Sequence, residues 1–256
     1  MSREFTLAYD AHEISCAIPL GTGGASAGGG QLRAGLSLAR AGDMSLARRH
    51  DAPHRAAFFH AARIPTDRVF GLHQVHSKSV LVIDRQDPES LADVDADGLV
   101  TSRGDVFLTV TVADCLPIFL VDQASGAFGL VHSGWKGTGI VVEALHLMAE
   151  AFGTRAPDVC AAIGPGIGSC CYTVPPERHE IFRAQFGEHA AVRGPAGDYR
   201  LDLKAANVRL MESAGVTRIA VAADCTSCSP ALGSFRREGQ GFRRMLAFIG
   251  PQGEAS

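Results

Sequence analysis

At 256 residues, with 46% hydrophobic and 20% charged side chains, the chain has enough apolar material for a substantial core. Its formal charge of −3 gives no electrostatic pull toward nucleic acid or an anionic membrane, and neither is expected as a partner. Met1–Asp10 has neither a cationic start nor a long apolar stretch. The most apolar run, Val106–Val121, contains Asp114 and Pro117 and is too short to span a bilayer, so a cytoplasmic protein is expected.

In chain order, the glycine-rich Gly21–Gly30 follows a first strand and precedes a helical pattern around Gln31–Leu38. The glycine segment lacks the Lys-Ser/Thr ending of a phosphate loop and the frame of a dinucleotide fingerprint, so it reads as a loop able to line a pocket. Strands rich in β-branched and aliphatic residues are expected at Lys78–Asp84, Val106–Val112, Pro117–Asp122, Ala127–His132, Asp158–Ile163, Arg218–Ala223 and Met245–Ile249. The clearest helix is Ile140–Phe152, closed by Gly153. Another is Leu203–Ala214, with Asp202 as N-cap and Gly215 after it, and Pro176–Phe186 is a third. Strands occur in adjacent runs as well as beside helices, which favours α+β over a doubly wound sheet. With no repeat and no linker, residues 1–256 are expected to form a single domain with mixed β-sheets flanked by helices.

Seven cysteines (Cys16, Cys115, Cys160, Cys170, Cys171, Cys225 and Cys228) make an odd set in a chain too long to need staples. Without an export signal, reduced thiols are expected, serving packing, metal binding or catalysis.

Three short segments carry the chemistry: His73-Gln74-Val75-His76-Ser77, Val112-Ala113-Asp114-Cys115-Leu116-Pro117 and Val131-His132-Ser133-Gly134-Trp135-Lys136-Gly137. Each lies at the end of an apolar run. Cys115, His76 and His132 together offer one thiolate and two imidazoles, three ligands for a zinc that keeps its fourth position open. If Leu116–Asp122 and Ala127–Val131 pair as a hairpin across Gln123–Gly126, Cys115 and His132 become neighbours; the spacing does not place His76. Singly, each residue also suits a structural role, as a hydrogen-bonded histidine or a small buried hydrophobe. Ser133–Gly139 has two readings that stand open: amides and Lys136 presented to an anion at a helix N-terminus, or a flexible turn with Trp135 plugging the core. Asp114 is a candidate base, although a carboxylate just before Cys115 reads better as a partner for backbone groups.

Other constellations compete. Cys225-Thr226-Ser227-Cys228 is a C-x-x-C, and Cys170-Cys171 offers two further thiolates for a structural zinc. The usual ribbon repeats C-x-x-C twice, which weighs against that site, and no βαβ frame supports a redox role. Arg236-Arg237 and Arg243-Arg244 suit either solvated charge or contacts to phosphate and ribose.

Gln74-Val75-His76, Ala113-Asp114-Cys115-x-Pro117, Val131-His132-x-Gly134-Trp135-Lys136-Gly137, Ile163-Gly164-Pro165, Cys170-Cys171-Tyr172 and Ser234-Phe235-Arg236-Arg237 occur in that order. Together they resemble the YfiH-like family, also called the laccase-domain or polyphenol oxidase family. The resemblance implies an α+β fold grouped with the cytotoxic-necrotising-factor/YfiH-like cysteine hydrolases. It also implies one Zn2+ per chain on His76, Cys115 and His132, which would be the catalytic set. The implied activity is phosphorolysis of adenosine, inosine, guanosine and methylthioadenosine, with deamination of adenosine. The implied partners are purine nucleoside and phosphate, with no obligate protein partner. His73, Gln74, Asp114, Lys136, Arg55 and Arg236 are then the expected substrate-binding residues, and His73 and Asp114 the candidates for proton transfer.

This chain departs from the family pattern at Gly21 and Lys136, where arginines are usual, and at His54, where asparagine is usual. Gly241-Phe242-Arg243-Arg244 replaces a terminal Thr-Gly-Arg. Lysine keeps the charge but loses the planar fork that suits phosphate. Three rival functions stand beside the nucleoside enzyme. A Cys115–His132 amide hydrolase would act on cell-wall precursors without metal. A copper phenol oxidase would need clustered histidines that this chain lacks. A zinc-stabilised binding protein would unfold without its metal.

Overall fold

The computed structural model describes residues 3–10, 15–20, 31–45, 53–91 and 93–252. In chain order, strands β1 (Arg3–Phe5), β2 (Ala8–Tyr9), β3 (Ser15–Ala17) and β4 (Leu32–Ser37) precede helix α1 (Pro53–Ala61). Strands β5 (Val69–Phe70) and β6 (Val80–Ile83) and the short helix α2 (Pro88–Leu91) come next. Four strands follow: β7 (Gly98–Thr101), β8 (Phe107–Val112), β9 (Leu116–Asp122) and β10 (Phe128–Ser133). After them come α3 (Ile140–Phe152), β11 (Val159–Ile163), α4 (Pro176–Phe186), β12 (Ala191–Arg193) and β13 (Tyr199–Leu201). The chain ends in α5 (Leu203–Ser213), β14 (Arg218–Ala222), α6 (Phe235–Glu238) and β15 (Met245–Pro251).

Two mixed sheets dominate. One has the order β1-β14-β11-β9-β10-β7-β6, the other β2-β3-β4-β15-β8-β5, and β12 pairs with β13 apart from them. The two large sheets face each other. Phe119, Val121, Phe128 and Leu130 from one meet Leu108, Val110, Ala247 and Ile249 from the other in a single buried cluster. The opposite face of the seven-stranded sheet presents Leu116, Ile118, Leu120 and Val131 to α3 and α5. The outer face of the six-stranded sheet, at Phe107, Leu246 and Phe248, is covered by Phe58 and Phe59 of α1. The layers therefore run helix, sheet, sheet, helix, a mixed α+β architecture. Buried on both faces, β9 has to be apolar almost throughout, which is why it reads as an unbroken hydrophobic run. Among the described residues no helix is long and apolar enough to cross a membrane.

The seven expected strands and three expected helices all form, with ends shifted by two residues at most. The helical pattern at Gln31–Leu38 is corrected: these residues form β4, between β3 and β15. Leucine, arginine and alanine favour helix locally, but pairing on both edges overrides that preference. Gly35 makes the pairing close. A Cβ there would lie 2.6 Å from the Phe248 ring. The Gly21–Gly30 loop, with Gly21, lies outside the described residues.

Topology places the functional segments. Strand β8 belongs to one large sheet and β9 to the other, so Ala113–Cys115 is a crossing between sheets. The segment from β5 to β6 crosses in the same way and carries His73 to Ser79. In the β9–β10 hairpin, Pro117 pairs with His132 and Leu116 with Ser133, which brings Cys115 beside the end of β10. The sequence expectation of a hairpin across Gln123–Gly126 holds, closed by Asp122 N–H donating to the Ala127 carbonyl at 2.8 Å.

Truncating Phe119, fully buried between the sheets, to alanine should cost about 3–5 kcal/mol in denaturant unfolding. Val142→Ala, on the exposed side of α3, should stay within about 0.5 kcal/mol of wild type. Equal effects at the two positions would contradict the layer arrangement.

Candidate active site

Cys115, His76 and His132 converge where the two large sheets part. Their ligand atoms all lie within 4.8 Å of one another, a spacing that a single ion can bridge. The two imidazole rings meet edge to face with centroids 4.9 Å apart. Gly134 makes room for the thiol, since a Cβ at that position would sit 2.8 Å from Cys115 Sγ. The backbone around the cluster is held in unusual conformations: His76 has φ 60° and Asp114 has φ 86°. A non-glycine residue in this region stores about 1–3 kcal/mol and persists only where its surroundings fix it.

Those surroundings are identifiable. Asp97, fully buried, anchors the His76 loop. Its carboxylate accepts the backbone N–H groups of Val75, His76 and Ser77 at 3.3, 3.1 and 2.6 Å. It also accepts Ser77 Oγ at 2.8 Å and His132 Nδ1 at 2.8 Å. Since the ionised carboxylate can only accept, His132 Nδ1 carries the proton and its Nε2 is left for a metal or a thiol. Asp114 is fixed by three bonds: its carbonyl accepts Ile167 N–H at 2.8 Å, and its carboxylate accepts Thr226 Oγ1 at 2.6 Å and Arg236 N–H at 2.7 Å.

The electrostatics follow from this packing. Burial acts to raise the Cys115 thiol, but the charge and hydrogen bond of His132, joined by those of His76, bring it from 9.0 down to about 6. Burial acts to lower His132, yet the Cys115 charge and the Asp97 hydrogen bond carry it from 6.5 up to about 9. For Asp97, burial is outweighed by hydrogen bonds from His132 and Ser77, and its carboxyl falls from 3.8 to about 2. The packing without metal therefore favours a thiolate beside an imidazolium on a buried carboxylate. Replacing the shared proton by a cation leaves the same donors in place, and in this sense the residues fit a metal.

A cleft of about 1130 Å³ opens over the cluster, lined among others by Trp135, Tyr172, Arg178, Phe235, Phe242 and Arg244. Of the expected substrate-binding residues, His73, Gln74, Asp114, Lys136 and Arg236 also line it. His73 sits at the exposed rim, its Nδ1 2.7 Å from Asp95. The Gln74 amide is committed to β8: it donates to the Thr111 carbonyl at 2.9 Å and accepts Thr111 N–H at 2.7 Å. The Arg236 guanidinium donates to the carbonyls of Cys171 and Thr173 and to Thr173 Oγ1 at 2.9–3.1 Å. Lys136 and Arg178 both stand over Trp135, 5.8 and 4.5 Å from the ring centroid. Arg55 is not among the described residues that line the cleft. It is buried in α1, donates to the Met44 carbonyl at 2.9 Å and has its pKa lowered by burial to about 10.

Sequence reasoning missed Asp97, Arg178 and the rings that wall the cleft. Asp97 had one signal, an acidic residue directly before a buried strand, where no surface needs it. Arg178 sits in a helix of ordinary polar composition, and nothing in its neighbourhood marks it out.

Comparison with known proteins agrees with the geometry. Residues 37–252 match the family described as multi-copper polyphenol oxidoreductase laccase. The chain is 36% identical over 204 residues to a protein of Geobacillus stearothermophilus named purine nucleoside phosphorylase YlmD, covering 74% of each. It is 30% identical over 198 residues to the mouse protein named purine nucleoside phosphorylase LACC1, covering 74% of this chain but 45% of that longer protein. The crystal structure of YlmD from Geobacillus stearothermophilus superposes with a TM-score of 0.80 at 32% identity, over 87% of this chain and 92% of the other. The chain belongs to the laccase-domain family, the YfiH-like proteins that its motifs resemble.

Proposed function

We propose that this chain is a zinc-dependent purine nucleoside enzyme that phosphorolyses adenosine, inosine, guanosine or methylthioadenosine and deaminates adenosine. One observation carries the reading. A His76–Cys115–His132 donor set, aligned by Asp97, forms the floor of a cleft that combines aromatic walls with cations. The names of relatives such as YlmD support the phosphorolysis of purine nucleosides in that reading. His76, Cys115 and His132 would hold the zinc, which when bound supplies Lewis acidity at the cleft floor. Histidine and cysteine suit zinc, whereas a multicopper centre needs a cluster of histidines that neither donor group among the described residues contains.

The chain's own residues divide the remaining work. Trp135, Tyr172, Phe235 and Phe242 offer ring faces and edges to a purine. Lys136, Arg178 and Arg244 line the cleft without a carboxylate partner among the described residues, and supply positive potential for phosphate. In phosphorolysis a phosphate oxygen forms the bond to ribose C1′ while the C1′–N9 bond breaks. The electron pair leaves on the purine, which then takes a proton. His73, paired with Asp95 at the rim, would provide that proton. Asp114 acts by position, because Thr226 and Arg236 occupy its carboxylate. In deamination a water oxygen forms the bond to C6, the C6–N bond breaks as the nitrogen takes up a proton and leaves as ammonia, and C6 is left as a carbonyl, with the same floor and walls.

A second reading has its own observation. Cys115, His132 and Asp97 form a connected thiol–imidazole–carboxylate series, the arrangement of a cysteine hydrolase acting without metal.

The deciding experiment measures zinc in untagged wild type and in Cys115→Ala, alongside release of base from inosine with and without phosphate. About one zinc lost in the variant, together with phosphate-dependent release that chelation abolishes, is expected. Activity that survives chelation but not alkylation of Cys115 would transfer the assignment to the hydrolase. Asp97→Asn should weaken metal affinity about 10–100-fold, the usual effect of removing a residue that orients a ligand. An unchanged affinity by competition titration would remove Asp97 from that role. In metal-stripped protein, alkylation of Cys115, followed on its own peptide by mass spectrometry, should show a midpoint near pH 6 instead of 9.0. A midpoint at the ordinary thiol value would dissolve the thiolate–imidazolium pair. Lys136→Arg should lower the KM for phosphate on the order of tenfold, about 1.4 kcal/mol. No change would show that the lost arginine fork is immaterial.

A further inference from the structure

Behind the Tyr172 wall of the cleft, four more thiols meet. β11 and β14 are parallel neighbours, so the turns that follow them leave the sheet from the same edge. The first turn carries Cys170 and Cys171, the second Cys225 and Cys228, and a bridge between Gly166 and Cys225 joins the two. All four Sγ atoms lie within 4.8 Å of one another. Cys171 and Cys228 are 3.4 Å apart, Cys170 and Cys228 3.7 Å. A tetrahedron of sulfurs about 2.3 Å from a central zinc has edges of about 3.8 Å. The single C-x-x-C looked half a site in sequence; the fold supplies the other half from a vicinal pair fifty-odd positions upstream.

We propose that Cys170, Cys171, Cys225 and Cys228 form a closed, structural zinc site, separate from the His76–Cys115–His132 cluster and independent of the reading of that cluster.

The surroundings are those of thiolates. Gly168 N–H donates to Cys225 Sγ at 3.2 Å. The Arg200 side chain bonds the Cys170 carbonyl at 2.8 Å, and Lys204 Nζ bonds the carbonyls of Ala222 and Asp224 at 2.5 and 2.8 Å. Two cations thus stand beside a cluster that four thiolates and one zinc leave with a charge of −2. Binding zinc displaces four thiol protons to solvent and forms four Zn–S bonds, with no change of oxidation state.

The clasp reaches the cleft through short links. Thr226, inside the C-x-x-C, donates to Asp114 at 2.6 Å, and the Cys171 carbonyl accepts Arg236 at 3.1 Å. Tyr172, the next residue, lines the cleft. Tying the two turns together therefore fixes one wall and the residue before Cys115.

The test uses the full chain carrying Cys115→Ala, so that the first cluster cannot answer for the second. Purified untagged under reducing conditions without chelator, it should retain one zinc per chain. X-ray absorption should show a sulfur-only shell at about 2.3 Å. Cobalt(II) in its place should give the intense thiolate charge-transfer bands of a four-sulfur site. Adding Cys228→Ser should take the metal from one per chain to none. Should that double variant fail to fold, the absorption and cobalt spectra of the single variant still decide. Iron in place of zinc, a nitrogen or oxygen ligand in the shell, a disulfide among the four cysteines by mass spectrometry, or four freely titrating thiols without metal would each overturn the proposal.

Discussion

The buried carboxylate of Asp97 is the interaction on which the site depends. A charge removed from water is tolerated only when donors surround it. Here the donors are the backbone of Val75–Ser77, the Ser77 hydroxyl and His132 Nδ1. Satisfying that one anion fixes the loop that carries His76 and the ring orientation of His132 together. It also explains why His76 holds φ 60°: three successive N–H groups can converge on one carboxylate only if the chain curls around it. The conformational strain of the histidine is offset by the solvation of the aspartate.

The seam between the sheets provides the second constraint. Cys115 and His76 both lie on segments that leave one large sheet and enter the other, and His132 lies at the end of a hairpin strand beside one of those crossings. A crossing has to open the backbone ladder. The freed peptide groups then need partners, and side chains that would be buried inside a strand become available to a cleft. Asp114, at φ 86° on the β8-to-β9 crossing, is the sharpest case. Its carbonyl, its carboxylate and the Thr226 and Arg236 segments lock the turn from which Cys115 projects.

How much of this was legible in the sequence depends on how local the cause was. The β9–β10 hairpin announced itself because a strand buried on both faces must be apolar, and pairing its ends put Cys115 beside His132. His76 could not be placed that way, since its approach is set by Asp97, more than twenty residues away, through bonds that leave no periodic trace. Gln74 looked like a substrate contact, yet its amide closes onto Thr111. Gln31–Leu38 failed as a helix because the strands that claim it lie elsewhere in the chain. The four-cysteine cluster was undervalued for the same reason: a ribbon pattern measures spacing within one segment, whereas here two turns are brought together by parallel strands.

The cations of the cleft can be ranked by the work they already do. Arg236 has its guanidinium engaged by Cys171 and Thr173, and lies 5.4 Å from the Tyr172 ring centroid, so it braces the wall. Lys136 and Arg178 both stand over the Trp135 ring, and Arg244 stands 4.5 Å from the Phe242 ring centroid. A guanidinium over a ring keeps its edge N–H donors free, because the stack uses the face and leaves the fork in the plane. For the proposed phosphorolysis, Arg244 can therefore present a planar fork to phosphate where Lys136 presents a point charge, while part of the Arg178 fork is taken by a hydrogen bond with Tyr172. With lysine at position 136, the planar fork nearest to hand for phosphate comes from the segment before β15, and the loop after His132 contributes charge alone.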